Sequence, residues 1–419
     1  MKKLKKTAKF IFKSPILLIF SLICVFMLPT SINTLSVAFR SAIAVAVGID
    51  LNEENKTEIY VAINSSPTSE SLAETNHIFC SSGETVGDAF TNLNLTFGRD
   101  IKLGHTRFVM IGEKISQQDI VILLDRLVRT SKMRNTVQLI YCPNSIKQMF
   151  EIGSKMGNTS GLKLSEIVCH QQNNSTTSID SNIDSFYKGF LSPSGVSRLN
   201  MVKLTNDYTK GINANTDGSS GGESSSSGEQ NESHSGGEQK QDYVSNRGEI
   251  AIFKDGVLKF TLDEEMSSGL NWLNNNFNSK ELLVMVNNSS QIDNAIINFD
   301  ILNKIVRCKP FFYKNMPFLS VQILISLTID EIISDNAKKD LKYSMLDDSV
   351  KSDIGNTIRG QVAKVVNFAK QEKVDIYELN NMFYKNNYYE YKEYLKNGNT
   401  KDDIIENTNI SVDIEIKII

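Results

Sequence analysis

Histidine is scarce in this chain of 419 residues, which has only four, and its five cysteines are scattered. Cys24, Cys80, Cys142, Cys169 and Cys308 lie far apart with no Cys-x-x-Cys, and Cys169-His170 is an isolated pair. A structural zinc site needs two such pairs at ligand spacing, so metal binding is not expected and buried free thiols are the economical reading. No Gly-x-Ser-x-Gly elbow, phosphate loop, His-Glu-x-x-His or dinucleotide fingerprint occurs, which removes the common hydrolase, NTPase, metalloprotease and dehydrogenase signatures. Asp50-x-Asn52-x-Glu54 resembles a calcium loop only at its start: Asn55 stands where glycine is needed and Val61 where the final glutamate is needed. With a formal net charge of −3 and a pI of about 6.0, the chain also lacks the basic footprint of a nucleic-acid binder. No catalytic, cofactor or metal residues are therefore expected.

Long apolar runs are absent as well, except at the start. Lys2, Lys3, Lys5, Lys6, Lys9 and Lys13 precede an uncharged stretch over 14–39. Its apolar heart is Ile16, Leu17, Leu18, Ile19, Phe20, Leu22, Ile23, Val25, Phe26, Met27 and Leu28, interrupted by Ser21 and Cys24. That heart matches a signal-peptide core in length, whereas the full stretch is long enough to span a bilayer at 1.5 Å per residue. No small-x-small site closely follows it, because Ala42-Ile43-Ala44 lies far downstream in an apparent strand. An uncleaved signal anchor over 1–32 is the favoured reading. The lysine bias then holds the N-terminus in the cytoplasm and exports the rest.

The exported part divides by pattern. Residues 42–50 and 58–64 read as buried strands, 106–111 and 137–141 as two more, and Ile120, Leu123, Leu124, Leu127 and Val128 follow helical spacing. A first mixed α/β domain is expected over 33–165. A Ser/Gly/Glu-rich stretch over 213–242 cannot repay its ordering entropy and reads as a flexible excursion. It interrupts a second small α/β domain over 166–278, with a strand over 197–204, a hairpin turning at Asp255-Gly256 and a short helix over 264–272. Alternation at 319–329 and 410–418 predicts two half-buried strands. Between them Ile354, Ile358, Val362, Val365 and Ala369 mark one helix, and a second is expected from Asp375, boxed by Glu378, to near Gly398. Residues 279–419 should form an α+β third domain whose antiparallel sheet packs with long helices.

The remaining polar signals have plain structural readings. His105 suits a hydrogen-bonding role at a strand entrance, and the acid pairs Glu264-Glu265 and Asp347-Asp348 suit helix starts. The tyrosine-rich run 384–394 reads as core on one side and surface on the other, with partner contact as the alternative.

Three blocks together carry a resemblance. The first is 44–50, Ala-Val-Ala-Val-Gly-Ile-Asp, holding Gly48 and Asp50. The second, 103–113, holds Gly104, His105, Arg107 and Glu113. The third runs from Gly248 through Phe253 to Trp272. In this order and spacing the chain resembles the Ger(x)C family, the C subunits of endospore germinant receptors. The resemblance implies a three-domain mixed α/β ectodomain on the outer face of the spore inner membrane, assembled with two integral membrane subunits and without enzyme activity. The matching residues are read as structural. Family members are typically lipoproteins, but residues 28–32 hold no cysteine, and Ile23 rather than a small residue precedes Cys24. The apolar segment is accordingly expected to anchor the protein without lipid. The competing reading is an exported, membrane-tethered binding or surface-structural protein with no germination role.

Overall fold

A computed structural model describes residues 41–64, 76–155, 164, 166–167, 179–205, 243–245, 248–274, 281–286, 295–333 and 348–419. The anchor segment over 16–28, the excursion 213–242 and the pair Cys169-His170 lie outside these residues. Among the described residues no helix is long and apolar enough to cross a membrane.

The first elements are β1 (Ser41–Leu51), β2 (Thr57–Asn64), β3 (Asn76–Gly83), α1 (Val86–Phe97), β4 (Asp100–Lys102), β5 (Phe108–Gly112) and α2 (Glu113–Ser116). There follow α3 (Ile120–Ser131), β6 (Gln138–Cys142), α4 (Ile146–Lys155), α5 (Ile183–Phe190), β7 (Val196–Met201), β8 (Lys203–Thr205), β9 (Tyr243–Ser245), β10 (Ile250–Lys254), β11 (Val257–Leu262) and α6 (Glu264–Trp272). Nine of these strands form one sheet in the order β11-β10-β7-β6-β5-β1-β2-β3, with β4 beside β1. Strands β1, β5, β6 and β7 run parallel, and the hairpins β1–β2–β3 and β10–β11 add antiparallel flanks.

The parallel strands explain the unbroken apolar runs. Val47, Ile49, Val109 and Ile111 face a core with α1, α3 and α5, while Ala46, Phe108 and Met110 face α4. A strand covered on both sides has no solvent face on which to place polar residues. Gly48 is required here: a Cβ would collide with Ile146 and come within 2.8 Å of Phe150 of α4.

The strands expected to make a second domain extend this first sheet. β7 pairs with β6 in parallel and with β10 in antiparallel register, so no break separates the sheet across residue 165. Sequence pattern finds strands, but it does not say which sheet edge they join. The expected hairpin is present, with Asp255 (φ 51°) and Gly256 (φ 84°) both left-handed as a type I′ turn demands.

The C-terminal module comprises β12 (Glu281–Val286), β13 (Ala295–Tyr313), β14 (Met316–Ile333), α7 (Asp348–Glu372), α8 (Leu379–Asn386), α9 (Tyr388–Lys396), α10 (Asp403–Asn407) and β15 (Asn409–Ile418). Its sheet order is β12-β13-β14-β15. The sheet is mixed rather than antiparallel, because β15 runs parallel to β14 from Phe318↔Asn409 to Leu327↔Ile418. Both pairings produce the same alternation. The direction is set by the crossover through α7–α10, of the kind a parallel pair requires. The expected helix stripe Ile354, Ile358, Val362, Val365 and Ala369 is buried. The expected single helix over 375–398 is instead two, α8 and α9, which meet at Asn387.

Helices α6 and α7 join the two modules. Trp272 is buried and its Nε1 donates to Gln361 Oε1 at 2.7 Å. A Cβ on Gly269 would strike the Gln361 carbonyl oxygen, so the helices meet there at backbone distance. Gly269→Ala is expected to lower the unfolding free energy by about 1–3 kcal/mol through overpacking. Gly360→Ala, on the exposed side of α7 with open space around it, should raise it by about 1 kcal/mol through helix propensity. Chemical denaturation of the two variants checks both signs.

Candidate interaction site at the junction of the two sheets

The turn before β7 supplies Ser194, whose buried hydroxyl donates to Asp375 Oδ2 at 2.6 Å. Asp375 lies beyond α7 in a bend that begins with left-handed Lys373 (φ 55°). It was expected to cap a helix as half of a box with Glu378. Its side chain does receive the opening amides of α8: Oδ1 accepts from the Leu379 amide at 2.8 Å, and Oδ2 accepts from the Asn380 amide at 2.8 Å and Asn380 Nδ2 at 2.9 Å. Glu378 makes no capping bond and adopts φ 57° at the start of α8. The box fails because the acidic side chain at 378 turns outward to Arg198 of β7, forming an ion pair. Asn380 passes the network on: its Oδ1 accepts from Tyr391 Oη at 2.8 Å and its Nδ2 donates to the Lys401 carbonyl at 2.9 Å. A buried carboxylate is tolerated when several donors replace the water it lost, and Asp375 has four.

A second strut comes from Lys254 of β10. Its ammonium donates to the Ser194 carbonyl at 2.7 Å and stands 3.5 Å from Asp402. The Arg198–Glu378 pair borders two small cavities, of about 240 Å³ and 290 Å³. Tyr377, Met382 and Lys385 help line the first, and Asp180 and Lys188 the second. Burial raises the Tyr377 phenol well above its ordinary pKa, and among the described residues its hydroxyl has no hydrogen-bond partner. A wider open groove of about 680 Å³ lies between α1 and α3, lined by Asp88, Ile122 and Arg126 among others.

The residues singled out by sequence do not converge. Asp50 Oδ1 accepts from the Leu51 amide at 2.8 Å and the Ile115 amide at 3.1 Å, tying the end of β1 to α2, where Glu113 is exposed in the first turn. Gly104 and His105 sit in the turn before β5, with His105 exposed. Arg107 is also exposed, and its backbone bridges Val45 and Gln138 at 2.8 and 3.1 Å. Gly248 (φ 83°) opens β10, and Phe253 is buried edge-on against Phe186 at 5.6 Å. Of these motif residues, Trp272 alone belongs to the junction. Asn52 explains the false calcium loop: its Oδ1 accepts from the Glu54 and Lys56 amides at 2.9 and 3.0 Å, an Asx turn. Among the described residues no group of three or more His, Cys, Asp or Glu side chains could hold a metal ion. Of the cysteines, Cys142 is buried and Cys308 half-buried, but Cys80 is exposed. Its strand, β3, lies at the sheet edge, which the sequence pattern did not reveal.

Sequence reasoning missed Ser194, Arg198 and Lys304, and it found Asp375 and Glu378 without their distant partners. Lys304 of β13 donates to the carbonyls of Asn271 and Asn274 at 2.7 and 2.5 Å and lies 5.7 Å from the Trp272 ring centre. Burial pulls its pKa down to about 7. The only available signal was a lysine on the half-buried alternation of a long strand.

Two family models match the chain in order. One, described as the spore germination protein N-terminal domain, covers 40–204; the other, described as spore germination B3/GerAC like, C-terminal, covers 248–419. A solved structure titled "Crystal Structure of the GerBC protein" is similar to 89% of this chain and 96% of its own, at 14% identity and a TM-score of 0.48. No curated protein matches the sequence.

Asp375→Ala strands three buried or half-buried N–H groups and the Ser194 hydroxyl, and should cost about 3 kcal/mol or more. Ser194→Ala should cost about 1 kcal/mol, and the double variant less than the sum, as measured by denaturant titration. For Lys304, the folded pKa of about 7 lies below the unfolded value, so the unfolded chain binds more protons above pH 7. Stability should therefore rise by about 1–2 kcal/mol between pH 7 and 9, and Lys304→Met should flatten that rise.

Proposed function

Because this chain belongs to the GerAC-like family of spore germination proteins, we propose that it is a membrane-tethered, non-enzymatic subunit of a nutrient germinant receptor, required for spore germination. The observation that carries this reading is the ordered match of both family segments, which together take in most of the chain beyond residue 40. The family associates with the spore membrane. On the finer reading, the apolar segment over 16–28 anchors the chain in the spore inner membrane with its folded part on the outer face. The partners are two integral membrane subunits.

The junction gives such a subunit a means of mechanical continuity. Ser194, Arg198 and Lys254 of the nine-stranded sheet engage Asp375, Glu378 and Asp402 of the C-terminal module. A partner seated on one module would load the other through these contacts. Tethering in a shared membrane would raise the effective concentration of such partners without demanding a large interface.

Spores lacking the gene should germinate slowly or not at all in at least one nutrient while still responding to a germinant that bypasses receptors. Optical-density loss after nutrient addition measures this. Wild-type rates in every nutrient, in a strain with no second copy of the family, would sink the receptor role and favour a surface-structural protein.

A further inference from the structure

The β13–β14 hairpin ends in a tip whose side chains are aromatic, apolar and basic. Tyr313 pairs with Met316 across the turn, and Phe311 with Phe318 two residues below, on the same face. Lys314 and Asn315 both take left-handed backbone, with φ of 49° and 66°, so the turn is the type I′ form that matches strand twist. The tip is held by its ladder and by stacked rings, Phe311 on Phe318 at 5.4 Å and Tyr313 edge-on to Phe318 at 6.3 Å. Phe312, on the opposite face, packs against Phe383 at 4.8 Å and Tyr394 at 5.7 Å. That contact fixes the tip beside α8 and α9.

Those helices present Tyr384, Tyr388 and Tyr389, the last 83% exposed, with ring centres 5.3 and 5.7 Å apart along the series. Phe311, Tyr313 and Met316 are exposed on the hairpin. One end of the C-terminal module therefore displays six large apolar side chains. The segments that carry them are positive on balance. Residues 307–318 contain Arg307, Lys309 and Lys314 and no acid, and α8–α9 carry Lys385, Lys392 and Lys396 against Glu390 and Glu393. The chain as a whole is negative. Lys314 lies 5.4 Å from the Tyr313 ring and Lys392 lies 5.5 Å from the Tyr388 ring.

Amphipathic rings among lysines suit the headgroup level of a bilayer, where one end of each ring is apolar and the other wet. A protein partner is the poorer match, because lysine is depleted at the centres of protein interfaces. We propose that this end of the C-terminal module is a second membrane contact, its rings seated in the headgroups of an anionic lipid surface. It rests on the tether described above for proximity and is independent of any role in germination.

The test uses the full chain carrying Tyr313→Trp, with the unsubstituted protein, whose single tryptophan is buried, as the reference. Each is bound to vesicles of phosphatidylcholine alone, or of phosphatidylcholine with phosphatidylglycerol, both with brominated acyl chains. The expected result is blue-shifted emission from the added tryptophan, quenched by the brominated lipid in the anionic vesicles and much less in the neutral ones. Adding Lys309→Gln and Lys314→Gln should reduce that quenching severalfold, since each basic residue near an anionic surface is worth about fivefold in attraction. Red emission quenched by aqueous acrylamide and not by lipid would overturn the proposal. Shielding from both quenchers would overturn it in favour of a protein covering the face, and equal quenching in neutral vesicles would remove the anionic component. A failure of the receptor reading in spores would leave these outcomes unchanged.

Discussion

The fold depends on the way β10 divides its side chains. Ala251 and Phe253 enter the core beneath α3 and α5, whereas Ile250 and Ile252 enter the core shared with α6, α7 and the C-terminal sheet. A strand of five residues thus belongs to two hydrophobic interiors, and its alternation leaves no slack. A register slip by one position would exchange the two sets and place Phe253 where Ile252 packs. The backbone pairing of β10 with β7 and β11 holds that register. The buried polar contacts of Ser194, Asp375 and Lys304 are therefore built around an apolar seam that already brings the two modules together. Their part is to fix orientation, since a buried carboxylate with four donors accepts few alternative arrangements.

Much of the architecture was legible because burial on both faces, or on one, writes itself into residue pattern. The runs at 42–50 and 106–111 announced strands of a covered sheet, and the stripe from Ile354 to Ala369 announced the long helix. Asp255-Gly256 announced its hairpin through turn chemistry alone. What stayed hidden was relational. Nothing in the alternation of 410–418 distinguishes a parallel neighbour from an antiparallel one. Nothing in the spacing of Val196, Ile250 and Ile252 says that they extend the first sheet. Strand β13 escaped because Lys304 interrupts its inward apolar positions, and two irregularities near residues 298–303 shift its phase.

The junction was harder to see for a chemical reason. Asp375 and Glu378 fit the spacing of a capping box, and local rules favour that reading. Tertiary partners overrode it: Ser194, far away in sequence, supplied a donor, and Arg198 drew Glu378 out into a left-handed backbone conformation. Such conformations cost on the order of 1 kcal/mol or more and persist only where surrounding contacts dictate them. Sequence could name both acids but not their correspondents.

The short pair β8–β9 has a consequence for the chain's history. Lys203 to Thr205 lie in register against Tyr243 to Ser245, and Leu204 and Val244 pack with the core under α4. The chain positions on either side of this interval, Thr205 and Tyr243, are thus held opposite each other whatever the number of residues between them. Closing a longer loop is entropically cheap, with each doubling costing only about 0.6 kcal/mol. This clasp makes the interval a place where sequence can be gained or lost across generations while the two halves stay joined.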